Sequence, residues 1–212
     1  MYLRPAFTET DPARIRALIE ANTFGLLVTH GTRGMEASHI PFLVKTEGVK
    51  TEGVKTDGDG FHLAGHLAAG NPQCDMLDGG EALAIFAGPH AYIAPGWYGV
   101  QPSVPTWDFA AVHVTGRLEV VLEEQAVAAD LQGMATLDPH GFDVAGMDRD
   151  YRRRMMAGIR AFTLRPAKVE AQWKMSQNRS IGDRTRVMAA LREQGDPMSA
   201  AVADLIGETL PA

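Results

Sequence analysis

Between Phe61 and Phe109 stand three of the chain's seven histidines (His62, His66, His90), two of its three tryptophans (Trp97, Trp107) and two of its four tyrosines (Tyr92, Tyr98). Glycine and proline set them off in three clusters. Gly65-His66 leads to Gly70-Asn71-Pro72-Gln73; Gly88-Pro89-His90-Ala91-Tyr92-Ile93 leads to Trp97-Tyr98; Val104-Pro105-Thr106-Trp107-Asp108-Phe109 is the third. A core calls for aliphatic volume, not ring nitrogens and amides alternating with glycine. This density predicts a pocket for a flat, polar-edged ligand.

Each cluster has a chemical reading and a plainer one. The first could seat an anion on Asn71, His66 and the free N–H groups of a helix start; by itself it reads as a capped strand-to-helix turn. In the second, strand alternation puts His90 and Tyr92 on one face, which suits a pocket wall or a satisfied histidine at a sheet rim. Trp97, Tyr98 and Trp107 sit among prolines and glycines, as in stacking platforms or subunit interfaces. Further on, Lys174 and Arg179 enclose Ser176, Gln177 and Asn178, a set suited to phosphate or to the carbonyl and imide edges of a ring. A solvated loop has the same composition.

Other chemistries lack their residues. There is no Gly-x-Gly-x-x-Gly, no Gly-Lys-Ser/Thr loop and no Gly-x-Ser-x-Gly turn. His62 and His66 lack the glutamate order of a zinc-protease helix, so no metal site is expected and no catalytic residue is assigned. Cys74 is the only cysteine, which excludes an internal disulfide and fits a cytoplasmic protein. The formal net charge is −6 and the pI about 5.6, which opposes broad attraction to phosphate backbones. No apolar run approaches a membrane span.

The elements that must position these clusters are mostly short strands. Asp11-Pro12 caps a helix to about Asn22; Phe24 to Thr29 and Met35 to Val44 form a hairpin, with Pro41 at an edge or bulge. The tandem pentapeptide from Thr46 to Lys55 lengthens a hairpin loop. Strands follow at Phe61 to Leu67, Glu81 to Ala87, His90 to Ala94 and Phe109 to Leu122, with a short helix opening at Asn71-Pro72. Helices are expected at about Glu123 to Met134, Asp148 to Ile159, Arg184 to Arg192 and Ser199 to Ile206, and a strand at Ala161 to Val169. At 212 residues and 45% hydrophobic, this predicts a mainly β fold, an antiparallel barrel with peripheral helices.

Taken in order, Ser38-His39-Ile40-Pro41, Gly65-His66, Gly70-Asn71-Pro72-Gln73, Gly88-Pro89-His90-Ala91-Tyr92-Ile93, Trp97-Tyr98, Val104-Pro105-Thr106-Trp107, Ala111-Val112-His113 and Ser176-Gln177-Asn178-Arg179 resemble the PaiB family, the FMN-binding negative transcriptional regulators. The likeness runs from Met1-Tyr2 to Arg179. Asp108 stands where the pattern leads one to expect asparagine, Cys74 replaces a bulkier residue, and the pentapeptide repeat is extra. The resemblance implies an FMN-binding split β-barrel over residues 1–180, with a C-terminal helical extension at 181–212. It implies a homodimer with flavin at the interface, acting as a transcriptional regulator or an FMN-dependent oxidoreductase. The cofactor-binding set it suggests is Ser38, His39, His66, Asn71, Gln73, His90, Tyr92, Trp97, Thr106, Trp107, Lys174, Ser176, Gln177, Asn178 and Arg179. The acidic charge and the lack of a basic helix-turn-helix speak against direct DNA binding. Haem is the alternative ligand, with His90 or His113 as axial residue.

Overall fold

The computed structural model describes residues 1–46 and 60–211. The elements are β1 (Thr8–Glu9), α1 (Pro12–Ala21), β2 (Phe24–Gly31), β3 (Gly34–Pro41), β4 (Leu43–Lys45), β5 (His62–Ala68), β6 (Glu81–Ile93), β7 (Thr106–Val121), α2 (Glu124–Met134), α3 (Arg149–Ala157), β8 (Ile159–Lys174), α4 (Ile181–Glu193) and α5 (Pro197–Gly207). Strands pair in the order β3-β2-β6-β7-β8-β5-β4, with β1 on β8. The fold is thus the expected antiparallel β class with added helices. β3 and β4 are separated in the chain by Phe42 alone, yet stand at the two ends of this order, so the sheet is not closed. Pro41 ends β3 on that edge, where its missing N–H costs no ladder bond.

The chain forms two compact units. One comprises Met1–Leu18, Ala87–Val112 and Glu170–Ala212; the other comprises Ile19–Phe86 and His113–Val169. The core of the second is aromatic: Phe42 meets Phe86 edge-on at 5.3 Å and Phe162 at 6.3 Å. Gly65 lies opposite Phe162 in the β5–β8 ladder, and a Cβ there would come within 2.7 Å of the Phe162 ring. The glycine of the Gly65-His66 motif is therefore needed for packing.

In the first unit, Ile93, Val112, Met175, Val187, Leu191, Val202 and Ile206 are buried. Ser180 caps α4 by accepting from the Asp183 N–H, and Asp196 caps α5 by accepting from the Ser199 N–H, with Pro197 opening that helix. These caps start both helices earlier than apolar periodicity alone predicts.

Three local expectations change. The two strands expected around Gly88-Pro89 are one, β6. Ala82, Ala84, Phe86 and Gly88 are buried, then Ala91 and Ile93, so side-chain alternation slips by one residue instead of ending. The helix expected after Asn71 is a 3-10 turn, Pro72–Met76. The second hairpin strand divides at Phe42 into β3 and β4. The tandem pentapeptide, Thr46 apart, lies outside the described residues.

Candidate functional site

In the first unit the slip in β6 puts His90 and Tyr92 on the exposed side, facing Trp107 at the start of β7. Tyr92 meets Trp107 edge-on at 6.0 Å and His90 is tilted to it at 6.2 Å. Trp107 is 54% and Tyr92 47% exposed. His90 Nδ1 lies 3.0 Å from Gly88 O. A carbonyl only accepts, so Nδ1 carries the hydrogen there, and on a neutral ring Nε2 is left as an acceptor.

Behind Trp107 the chain is locked. Lys174 Nζ donates to Thr106 Oγ1 (2.5 Å) and to Trp107 O, and stands 3.5 Å from Asp108 Oδ1. Asp108 is wholly buried. Its Oδ2 accepts from Ser176 Oγ at 2.6 Å, while Oδ1 has no hydrogen-bond partner. Burial pushes the Asp108 carboxyl above the usual carboxylate range, against the opposing pull of Ser176 and Lys174. Ser176 holds a left-handed backbone, φ 56°, which costs a residue with a Cβ some strain. Gln177 closes this turn, accepting from Met175 N (2.7 Å) and donating to Trp173 O (2.5 Å).

Of the polar run from Lys174 to Arg179, then, Lys174, Ser176 and Gln177 are engaged within the unit, while Asn178 is exposed. The Arg179 guanidinium lies 4.1 Å over the Tyr98 ring. Tyr98 is buried beneath Arg179, and Trp97 is half-buried, so Tyr98 is a support for Arg179 and not an open platform. Sequence reasoning missed Asp183. Its Oδ1 accepts from Gly99 N (2.7 Å) and Arg186 Nη2 (2.6 Å), and these bonds, the Gly99 N–H first, hold its carboxyl below the usual range. The Ser180-x-x-Asp183 spacing was the available signal.

In the second unit Ser38 and His39, adjacent in β3, occupy opposite faces, as period-two alternation requires. Ser38 Oγ accepts from Asn71 Nδ2 at 2.9 Å. His39 stacks at 6.0 Å on Phe24, which is 68% exposed. Gln73 is buried. Its Nε2 donates to Leu27 O (3.2 Å), Thr29 Oγ1 (3.0 Å) and Glu36 O (3.2 Å), clamping the β2–β3 hairpin, while Oε1 has no partner. The expected row of free N–H groups after Asn71 is absent, since Asn71 Oδ1 takes the Gln73 N–H at 2.9 Å. Burial lowers the His66 pKa, so at neutral pH it is a neutral donor and acceptor, not a cation. Among the described residues no group of three or more His, Cys, Asp or Glu side chains could hold a metal ion.

The outward face of this unit is apolar. Phe24, Leu26 and Val28 of β2 pair across with Pro41, His39 and Ala37 of β3, and Leu83 and Ile85 of β6 continue the same side. Met35, at its edge, is 69% exposed.

Comparison with known proteins gives this arrangement a family. Residues 1–168 match the family described as "Putative FMN-binding domain". The chain is 30% identical to "Protease synthase and sporulation protein PAI 2" of Bacillus subtilis, over 99% of this chain and 98% of that protein. It is 36% identical to a Saccharomyces cerevisiae protein, YKL070W, over 43% of this chain and 52% of the other. Among solved structures it resembles the conserved hypothetical protein Rv2991 of Mycobacterium tuberculosis (TM-score 0.60, 12% identity, 85% and 94% coverage). It also resembles a FAD and heme binding protein of Mycobacterium smegmatis (TM-score 0.55, 13% identity, 79% and 73% coverage). At these identities the structures bear on fold alone, whereas the family match and the Bacillus relative extend over most or all of the chain: it belongs to the PaiB-like FMN-binding family of split-barrel proteins, and FMN is the cofactor of that family.

Proposed function

We propose that the chain works as a homodimeric, cytoplasmic FMN protein whose bound flavin exchanges electrons with a soluble partner, that is, as an FMN-dependent oxidoreductase. FMN needs flat apolar cover for its ring system and compensation for its phosphate, and the residues fit both demands. Half-exposed Trp107 and Tyr92 offer ring faces held by a fixed backbone. Arg179 has an ion-pairing group left over after stacking on Tyr98, with Asn178 beside it in sequence. When bound, FMN supplies one- and two-electron transfer that no side chain here supplies. The chain's own contribution is to bind, to orient and to keep water from the ring. Lys174, Thr106 and Asp108 position Trp107; Ser176 and Gln177 shape the turn that presents Arg179. Ser38, His39, His66, Asn71 and Gln73 stay in the candidate set, and Gln73 acts through the hairpin it clamps.

The observation that carries the dimer is the apolar face on which Phe24 and Met35 are exposed beside half-buried Leu26, Val28, Leu83 and Ile85. Apolar patches of that breadth are seldom left to water by a monomer, and a two-fold axis lets one such patch cover its own copy. Sedimentation of the FMN-loaded protein is expected to give a dimer, and Val28→Glu a monomer with weakened flavin binding. A monomeric native chain with full flavin binding would remove the dimer from the account. Bleaching of the flavin bands by NADH or NADPH supports the oxidoreductase. A flavin inert to both donors leaves the regulatory reading, in which the FMN-bound dimer acts by binding a partner.

A further inference from the structure

Four of the nine residues of α3 are arginines (Arg149, Arg152, Arg153, Arg154), and none of its residues is buried. None of the four has an ion-pair partner among the described residues. Arg149 and Arg153, one turn apart, repel each other, and a helix that buries no face gains little from packing. In a chain of net charge −6, this is a local concentration of positive charge. Next to it is a cleft of about 310 Å³ bounded by α3, the end of β7, the start of α2 and the start of β8. Val121, Val127, Met156 and Ile159 give it an aliphatic lining. Its charged groups are Arg153, Arg160 and Glu124. Arg160 donates to Ile159 O, its own neighbour at the start of β8, at 3.0 Å and reaches Ala157 O at the end of α3 at 3.5 Å. The Arg153 side chain makes no hydrogen bond or ion pair among the described residues.

We propose that this cleft binds an anionic amphiphile, a short unbranched apolar tail lying on the aliphatic lining with its carboxylate on Arg153. The volume is at the small end of ligand pockets, which suits one chain of modest length. A guanidinium with all its donors free takes a carboxylate through two parallel hydrogen bonds. Glu124 repels the same carboxylate, so the charges on the lining set one orientation. A cleft of this size lined by residues from four elements fits a free molecule better than a bilayer surface, which would meet only the outermost side chains.

Calorimetric titration with octanoate tests the assignment on the FMN-loaded protein. One-to-one binding is expected, with Arg153→Ala weakening it by about tenfold, the scale of a charge-assisted pair. Arg154→Ala, which removes the same charge from a residue outside the lining, should leave it unchanged, and octylamine should not bind. Retained flavin absorbance in both variants shows that they fold. Four results overturn the proposal: no octanoate binding, equal loss in the two variants, equal binding of octylamine, or capture of anionic phosphatidylglycerol vesicles without binding of soluble octanoate. Tight retention of duplex DNA that depends equally on all four arginines, with no octanoate heat, would instead assign the helix to polyanions.

Discussion

At the scale of single residues, the clusters that stood out for chemistry divide into side chains that face outward and side chains that hold them. Asp108 is of the second kind. Because burial raises its pKa in the folded chain, the folded state holds a proton that the unfolded state releases. Its stabilising contribution is complete below the ordinary carboxylate range and is lost as pH rises through the raised value. Urea unfolding should therefore show the native chain losing stability relative to Asp108→Asn as pH rises across that window. A slope of the opposite sign would mean that Lys174 outweighs burial. Gln73→Ala should cost about 2 kcal/mol or more, since three acceptors lose a buried donor; thermal unfolding checks this, and a neutral result would remove the clamp. Arg179→Ala should weaken FMN by about 1.5–3 kcal/mol while leaving riboflavin nearly unmoved, as for a lost hydrogen bond to a charged group. Equal weakening of both ligands would place Arg179 in support of the ring or the fold.

At the scale of elements, much was legible because one periodicity and a few caps dictate it. β7 shows period two throughout, and Asp11-Pro12 opens α1 as the capping rule requires. What was not legible depends on contacts between distant segments. Nothing local shows that Gly65 faces Phe162, that Gln73 reaches three positions on a hairpin more than 35 residues upstream, or that β6 continues through Pro89 with its faces exchanged. The opposite facing of Ser38 and His39, by contrast, follows from alternation alone. Gly65→Ala tests the packing account: a Cβ 2.7 Å from the Phe162 ring should cost about 1–3 kcal/mol by overpacking. Phe162→Leu in the same chain should recover part of that loss, and an unchanged melting temperature in the single variant would show that the ring has room to move.

At the scale of the whole molecule, composition bounded the class of protein but not its chemistry. An acidic chain with one cysteine and many short strands excludes internal disulfide scaffolds and opposes broad attraction to polyanions, yet the same balance conceals the arginine-rich α3. The ordered run of motifs narrowed the reading to a flavin, and the family match over residues 1–168 agrees with it. The absorption spectrum of the purified protein, taken before and after reconstitution with FMN, tests that central claim most directly. The two flavin bands in the near-ultraviolet and blue are expected, retained on the protein through gel filtration. An intense Soret band, or FMN that elutes free of the protein, would contradict it.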